Sequence, residues 1–149
     1  GKSNFKEIRG RAELVLTENP NKNRYKIYDY LNPTAIRMSA GVASIIISRA
    51  GSTIFEIAAW GVPSIIIPIP ESVSHDQYKN AFTYARSGGA IVIEEKNLTS
   101  SILISEIGRL MDNKPLRDEM KRSARAWSQP DAANKIAREL INIALEHEK

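Results

Sequence analysis

The sequence predicts an α/β fold: a Rossmann-like parallel sheet covered by helices on both faces. Three observations carry that expectation. The β-branched runs Ser44-Ile45-Ile46-Ile47-Ser48 and Ser64-Ile65-Ile66-Ile67-Pro68 are apolar without alternation, as strands buried on both faces must be. Each is followed by a longer segment suited to a helix, and strands alternating with helices of about ten residues or more build parallel βαβ units. Gly61 with Pro63 beyond it supplies a helix stop just before the second run. Crossovers are then expected to be right-handed.

Taken in order, residues 1–23 place Phe5, Ile8, Ala12, Val15 and Leu16 on one helical face. That favours a helix, although Gly10 weakens it and Ala12 to Thr17 could be a strand. From Arg24 to Leu31, Ile27 among Tyr25, Tyr28 and Tyr30 predicts a strand. A helix is expected from Pro33 to Gly41, then the strand 44–48, a helix from Ser52 to Trp60, and the strand 64–68. A further helix over Ser74 to Ser87 leads through Gly88-Gly89 to the strand Ala90-Ile91-Val92-Ile93. Helices follow near Thr99 to Met111, Pro115 to Ala126 and Asp131 to Glu146, separated by Asn113-Lys114-Pro115 and Ser128-Gln129-Pro130. The expected organisation of residues 1–149 is one unit, with a motif-bearing core over 24–95 and C-terminal helices over 99–147. No repeat and no Pro/Gly/Ser-rich linker divides it.

Composition narrows the chemistry. With 149 residues, 42% apolar and 26% charged, the chain suits one packed domain and no disordered or collagenous class. No apolar run approaches the roughly 20 residues that span a bilayer, and the first residues lack a signal-like stretch, so a soluble, unexported, cytoplasmic chain is expected. Zero Cys removes disulfides, thiolate metal sites and cysteine nucleophiles. His75 and His147 lie far apart in sequence, so no metal is expected and the chemistry falls to oxygen, amide, guanidinium and backbone groups. The net charge of +4 is compatible with an anionic ligand. Its densest basic cluster, Arg117, Lys121, Arg122 and Arg125, alternates with Asp118 and Glu119 as a solvated helix face does; no nucleic-acid partner is expected.

Ligands of open parallel sheets bind beyond the carboxyl ends of the strands, which directs attention to the loops after Leu31, Ser48, Pro68 and Ile93. In Ser48-Arg49-Ala50-Gly51-Ser52-Thr53, a small-residue turn, hydroxyls and a cation precede a helix. The free amides there form a phosphate cradle, or else Gly51 eases a tight turn and Ser52 or Thr53 caps the helix. Glu56 is the only ionisable residue from Ile54 to Trp60; it suits two ribose hydroxyls, or a capping box with Thr53. Gln77 and Asn80, spaced i,i+3 at a helix start, can face one point and suit sugar hydroxyls, or simply belong to a polar first turn capped by Ser74. Gly1-Lys2-Ser3 lacks the strand and first glycine of a phosphate-binding P-loop, and Asn97-Leu98-Thr99 is a glycosylation sequon without an export signal.

Together, Ile47-Ser48-Arg49-Ala50-Gly51-Ser52-Thr53-Ile54-Phe55-Glu56-Ile57-Ala58-Ala59-Trp60-Gly61-Val62-Pro63, Ile65-Ile66-Ile67-Pro68, Gln77-x-x-Asn80-Ala81 and Gly88-Gly89-Ala90 resemble the C-terminal, donor-binding domain of the family 28 glycosyltransferases. The resemblance runs over about residues 24 to 145. It implies the C-terminal half of a GT-B enzyme that takes UDP-N-acetylglucosamine and transfers the sugar, with inversion, to a lipid-linked peptidoglycan precursor. It implies Tyr30 and Leu31 beside the uracil, Ala50, Gly51, Ser52 and Thr53 on the diphosphate, Glu56 on the ribose, and Gln77 with Asn80 on the sugar. Arg49 matches the motif's arginine, either touching phosphate or bracing the loop. The implied partners are an N-terminal acceptor-binding domain or subunit and, through it, the lipid acceptor on the inner face of the membrane. The catalytic base belongs to that partner, and none is assigned in this chain.

Departures accompany the likeness. The family's Arg-Ala-Gly-Ala-Ser-Thr turn has a residue more than Arg49 to Thr53, the segment from Leu31 to Arg49 is slightly longer than usual, and Ser44 replaces a customary Asp. The family's first strand and its glycine-rich loop are expected to precede residue 1. Alternatives are the donor-binding subunit of a two-subunit lipid-carrier glycosyltransferase, and a non-catalytic α/β interaction module.

Overall fold

A computed structural model describes residues 2–146; Gly1 and His147, named above, lie outside the described residues. The chain forms two compact units, up to Ser39 and from Ala40 onward. In the first, a 3-10 turn at Lys2–Asn4 runs into α1 (Phe5–Val15), so the helical alternative is the one realised. No described residue of α1 is buried.

The strand expected over Arg24 to Leu31 does not form. Lys22–Arg24 is a 3-10 turn and the chain beyond it is irregular, with Tyr25, Tyr28 and Tyr30 all exposed. The β-propensity of tyrosine reflects packing on a half-buried pleated surface, and no strand among the described residues pairs with this segment. Asp29 instead accepts the amide of Tyr30 at 2.8 Å. Helix α2 (Pro33–Val42) starts where expected; the Asn32 side chain accepts the Ala35 amide at 2.8 Å as its cap.

The second unit contains β1 (Ile46–Ser48), α3 (Thr53–Trp60), β2 (Ser64–Ile66), α4 (His75–Arg86), β3 (Ala90–Val92), a 3-10 turn at Glu95–Asn97, and helices α5 (Ser100–Asp112), α6 (Lys114–Trp127) and α7 (Ala132–Glu146). The strands form one parallel sheet in the order β1-β2-β3; Ser64 of β2 lies between Ile46 and Ala90, and Ile66 between Ser48 and Val92. All of central β2 is buried. On one face Ile66 packs with Ile54, Ile57 and Ala58 of α3, Ala81 and Tyr84 of α4, and Ala124 of α6. On the other, Ile65 packs with Leu110 of α5 and Met120 of α6. Both faces of β2 are thus covered, as its continuous apolar run predicts, but β1 is not buried on both faces as expected: among the described residues it pairs with β2 alone and leaves Ile47 exposed.

Helix α3 ends at Gly61, whose φ of 67° is left-handed and whose amide donates to Ile57 and Ala58. Phe55 stacks on Trp127 at 5.3 Å, fastening α3 to α6. The basic cluster of α6 is more than a solvated face: Arg117 donates to the carbonyls of Leu110 and Met111, closing the end of α5.

Tyr84 is fully buried, and its hydroxyl lies near Ser64 without completing a hydrogen bond; the Ser64 hydroxyl donates to the Gly89 carbonyl at 3.4 Å. Burial raises the phenol above its ordinary pKa. The neutral phenol therefore favours folding fully below the ordinary tyrosine pKa of about 10, and that contribution is lost as pH rises through the folded value. Tyr84→Phe should leave stability at neutral pH unchanged or raise it by up to about 1 kcal/mol, because no bond is lost with the hydroxyl. Its urea midpoint should also fall less above pH 10 than that of the parent. A clear loss of stability at neutral pH would show that the hydroxyl is bonded.

Candidate functional site

The carboxyl ends of three parallel strands share one edge of the sheet, and the loops leaving that edge carry the polar residues singled out from the sequence. After β1, Ala50 is fully buried and anchors the turn, leaving Gly51 partly accessible and Ser52 and Thr53 exposed. The carbonyls of Gly51 and Ser52 accept from Ile54 and Phe55 at 3.2 and 3.1 Å. The amides of Gly51, Ser52 and Thr53 meet no acceptor among the described residues. They sit at the start of α3, where helix geometry leaves amides unsatisfied and the dipole favours an anion.

The bland alternatives for this turn are not what the structure builds. Ser52 is at the N-cap position with φ −55° and ψ −22°, and its side chain makes no cap. Because the cap is Ser52 rather than Thr53, Glu56 falls one residue late for a capping box; it is exposed and accepts no hydrogen bond among the described residues. Gly51 has no left-handed φ, and a Cβ there would meet nothing within 4 Å. Neither backbone conformation nor packing demands glycine, and the space above the turn is open.

Arg49 braces the loops. Its Nη1 donates to the carbonyls of Ile67 and Pro68 at 3.2 and 3.3 Å and to Glu95 Oε2 at 2.6 Å, so the first contacts of this cation are with the ends of β2 and β3. The loop after β2 leads to α4, whose N-cap Ser74 also makes no side-chain cap. Gln77 and Asn80 are both partly buried on its first turns, and Gln77 Oε1 is a buried acceptor without a partner. A buried amide oxygen left unpaired carries a desolvation cost that a ligand hydroxyl can relieve.

Tyr30 and Leu31 lie in the first unit, in irregular chain rather than at a strand end, with Tyr30 exposed. Sequence reasoning missed Tyr78, Glu94 and Glu95. Tyr78 donates to Glu94 Oε2 at 3.2 Å, and Glu95 holds Arg49. Burial, and then the charge of Glu94, raise the Tyr78 phenol above its usual range, keeping it a donor. The available signal was an acidic pair directly after a buried strand, at the carboxyl edge.

Comparison with known proteins identifies the family and supports the fold. The model of the glycosyltransferase family 28 C-terminal domain matches residues 1–136. The UDP-N-acetylglucosamine--N-acetylmuramyl-(pentapeptide) pyrophosphoryl-undecaprenol N-acetylglucosamine transferase of Limosilactobacillus reuteri is 33% identical over 125 residues, covering 83% of this chain and 33% of the relative. The protein of the same name from Oenococcus oeni is 36% identical over 106 residues, covering 70% and 28%. The crystal structure of Acinetobacter baumannii MurG superposes with a TM-score of 0.74 at 27% identity, over 87% of this chain and 36% of that one. The chain thus spans about a third of the length of the curated relatives it matches. With the family model matched over nearly its whole length, the chain belongs to the glycosyltransferase family 28 C-terminal domain family.

Proposed function

We propose that this chain is the UDP-N-acetylglucosamine-binding part of an inverting N-acetylglucosaminyltransferase acting on a lipid-linked peptidoglycan precursor. The observation that carries the assignment is the set of unpaired groups at one sheet edge: the amides of Gly51, Ser52 and Thr53, with the exposed carboxylate of Glu56 following them on α3. A diphosphate satisfies the amides and the helix dipole, and ribose hydroxyls satisfy the carboxylate. Gln77 and Asn80 take the sugar hydroxyls, with the unpaired Gln77 oxygen accepting one of them. The sugar and the acceptor class are those for which the relatives are named.

In the reaction, an acceptor hydroxyl attacks the anomeric carbon as the bond to UDP breaks, inverting that centre. The negative charge that develops on the departing diphosphate falls on the free amides of the turn, donors already oriented before the reaction, and no metal is required. The acceptor's proton passes to a base outside this chain. That base and the lipid groove belong to an N-terminal acceptor-binding domain, or to a separate subunit, consistent with a match to only about a third of each relative. No described helix is long and apolar enough to cross a membrane. The whole protein would work in the cytoplasm, bound peripherally to the inner face of the membrane where its acceptor lies.

Titration of the chain with millimolar UDP-N-acetylglucosamine should move the amide resonances of Gly51, Ser52, Glu56 and Gln77 while leaving α7 unmoved. The chain alone should not transfer the sugar. Absence of localised shifts would refute the donor site, and robust transfer by the isolated chain would refute the placement of the base elsewhere.

A further inference from the structure

We infer that Glu94 and Glu95 are positioning residues that hold the phosphate turn and the sugar-binding helix at a fixed separation; this rests on the donor-site assignment above. The two carboxylates leave β3 side by side and reach in different directions. Glu95 Oε2 takes the Arg49 guanidinium at 2.6 Å, and the same guanidinium nitrogen donates to the carbonyls of Ile67 and Pro68. Glu94 Oε2 accepts from Tyr78 at 3.2 Å and lies 3.3 Å from the Lys96 ammonium. Tyr78 sits on α4 between Gln77 and Asn80. One dipeptide therefore connects the turn after β1, the loop after β2 and the first turns of α4.

Core packing joins α3 and α4 beneath the site, through Ala50, Ile54, Ala81 and Tyr84, but it does not fill the space between the outer ends of the loops. A cavity of about 230 Å³ lies among these loops, lined by Pro68, Pro70, Glu71 and Tyr78 together with the two glutamates. Where side chains leave such a gap, directional charge-assisted bonds set the spacing instead. A nucleotide sugar must reach from the turn to α4 in one pose, and its sugar contacts count only if both ends are held in register. UDP alone needs the turn and Glu56. Loss of a glutamate should therefore reduce the advantage of UDP-N-acetylglucosamine over UDP. Affinity for UDP itself should stay level or rise, because a negative charge near the anion has gone.

The test is the ratio of the UDP to the UDP-N-acetylglucosamine dissociation constant, measured by titration for the unsubstituted chain, Glu94→Ala, Glu95→Ala and Gly61→Ala. Gly61→Ala lowers stability at the opposite end of α3 and controls for a general structural effect. The ratio should fall about three- to fivefold in each glutamate variant, the scale of a partly exposed ion pair, and remain unchanged in Gly61→Ala. An unchanged ratio in the glutamate variants, or equal weakening of both ligands, overturns the positioning role while the donor site stands. If the unsubstituted chain binds neither ligand, or prefers neither, the donor-site assignment fails and this inference falls with it.

Discussion

Glu56→Gln is expected to weaken UDP binding by about tenfold to a hundredfold, the value of one hydrogen bond to a charged group, while the chain stays folded. The carboxylate can accept both ribose hydroxyls at once; the amide keeps one acceptor oxygen and turns the other position into a donor. Stability has little to lose. Glu56 is exposed and has no hydrogen-bond partner among the described residues, so only the favourable interaction of its charge with the start of α3 disappears. That interaction amounts to a few tenths of a kcal/mol, up to about 1. Two ligands isolate the effect: Glu56→Gln should discriminate less than the parent between UDP and 2′-deoxy-UDP, because one of the hydroxyls it serves is already missing from the latter. Calorimetric titration of both ligands, with urea unfolding as the control, checks this. Equal UDP affinity in parent and variant would sink the ribose assignment.

The part of the fold legible in sequence was the part specified by local chemistry. Strands β1 and β2 announced themselves as isoleucine runs, and Gly61 marked the end of α3 because a left-handed cap there suits glycine. The segment from Arg24 to Leu31 was misjudged because strand formation depends on a neighbour, which no local composition reveals. The same division runs through the site. Glu56 stood out as one charge in an apolar helix, and the turn before it as a cluster of small residues. Glu94 and Glu95 did not stand out, because their partners Tyr78 and Arg49 lie 16 and 46 residues away in sequence. Arg117 was hidden likewise, since its partners are carbonyls at the end of another helix rather than side chains on its own.

Gly89→Ala should destabilise the fold by about 1–3 kcal/mol, the range for overpacking a filled core, although it adds one methyl group. A Cβ at Gly89 would lie 2.5 Å from Tyr84 Cε2 and 2.9 Å from Cζ. That ring is fully buried and packs against Trp127 at 4.7 Å, so it has no open side toward which to move. Gly61 offers the instructive contrast. A Cβ there would lie 2.4 Å from Arg125 Nε, a nominally worse clash, but the obstacle is an exposed, flexible side chain that can swing away. The cost at Gly61 is then mainly that of a side chain at positive φ, on the order of 1 kcal/mol. Gly89 has no positive φ, so its cost is steric alone and should yield to a change in the ring. Tyr84→Phe keeps Cε2 and Cζ and should not rescue Gly89→Ala, whereas Tyr84→Leu removes both atoms. Combined with Gly89→Ala, Tyr84→Leu should cost less than the sum of the two single changes, because the added methyl fills space the ring has left. Additive losses in urea unfolding would mean that the ring is not what excludes a side chain at Gly89.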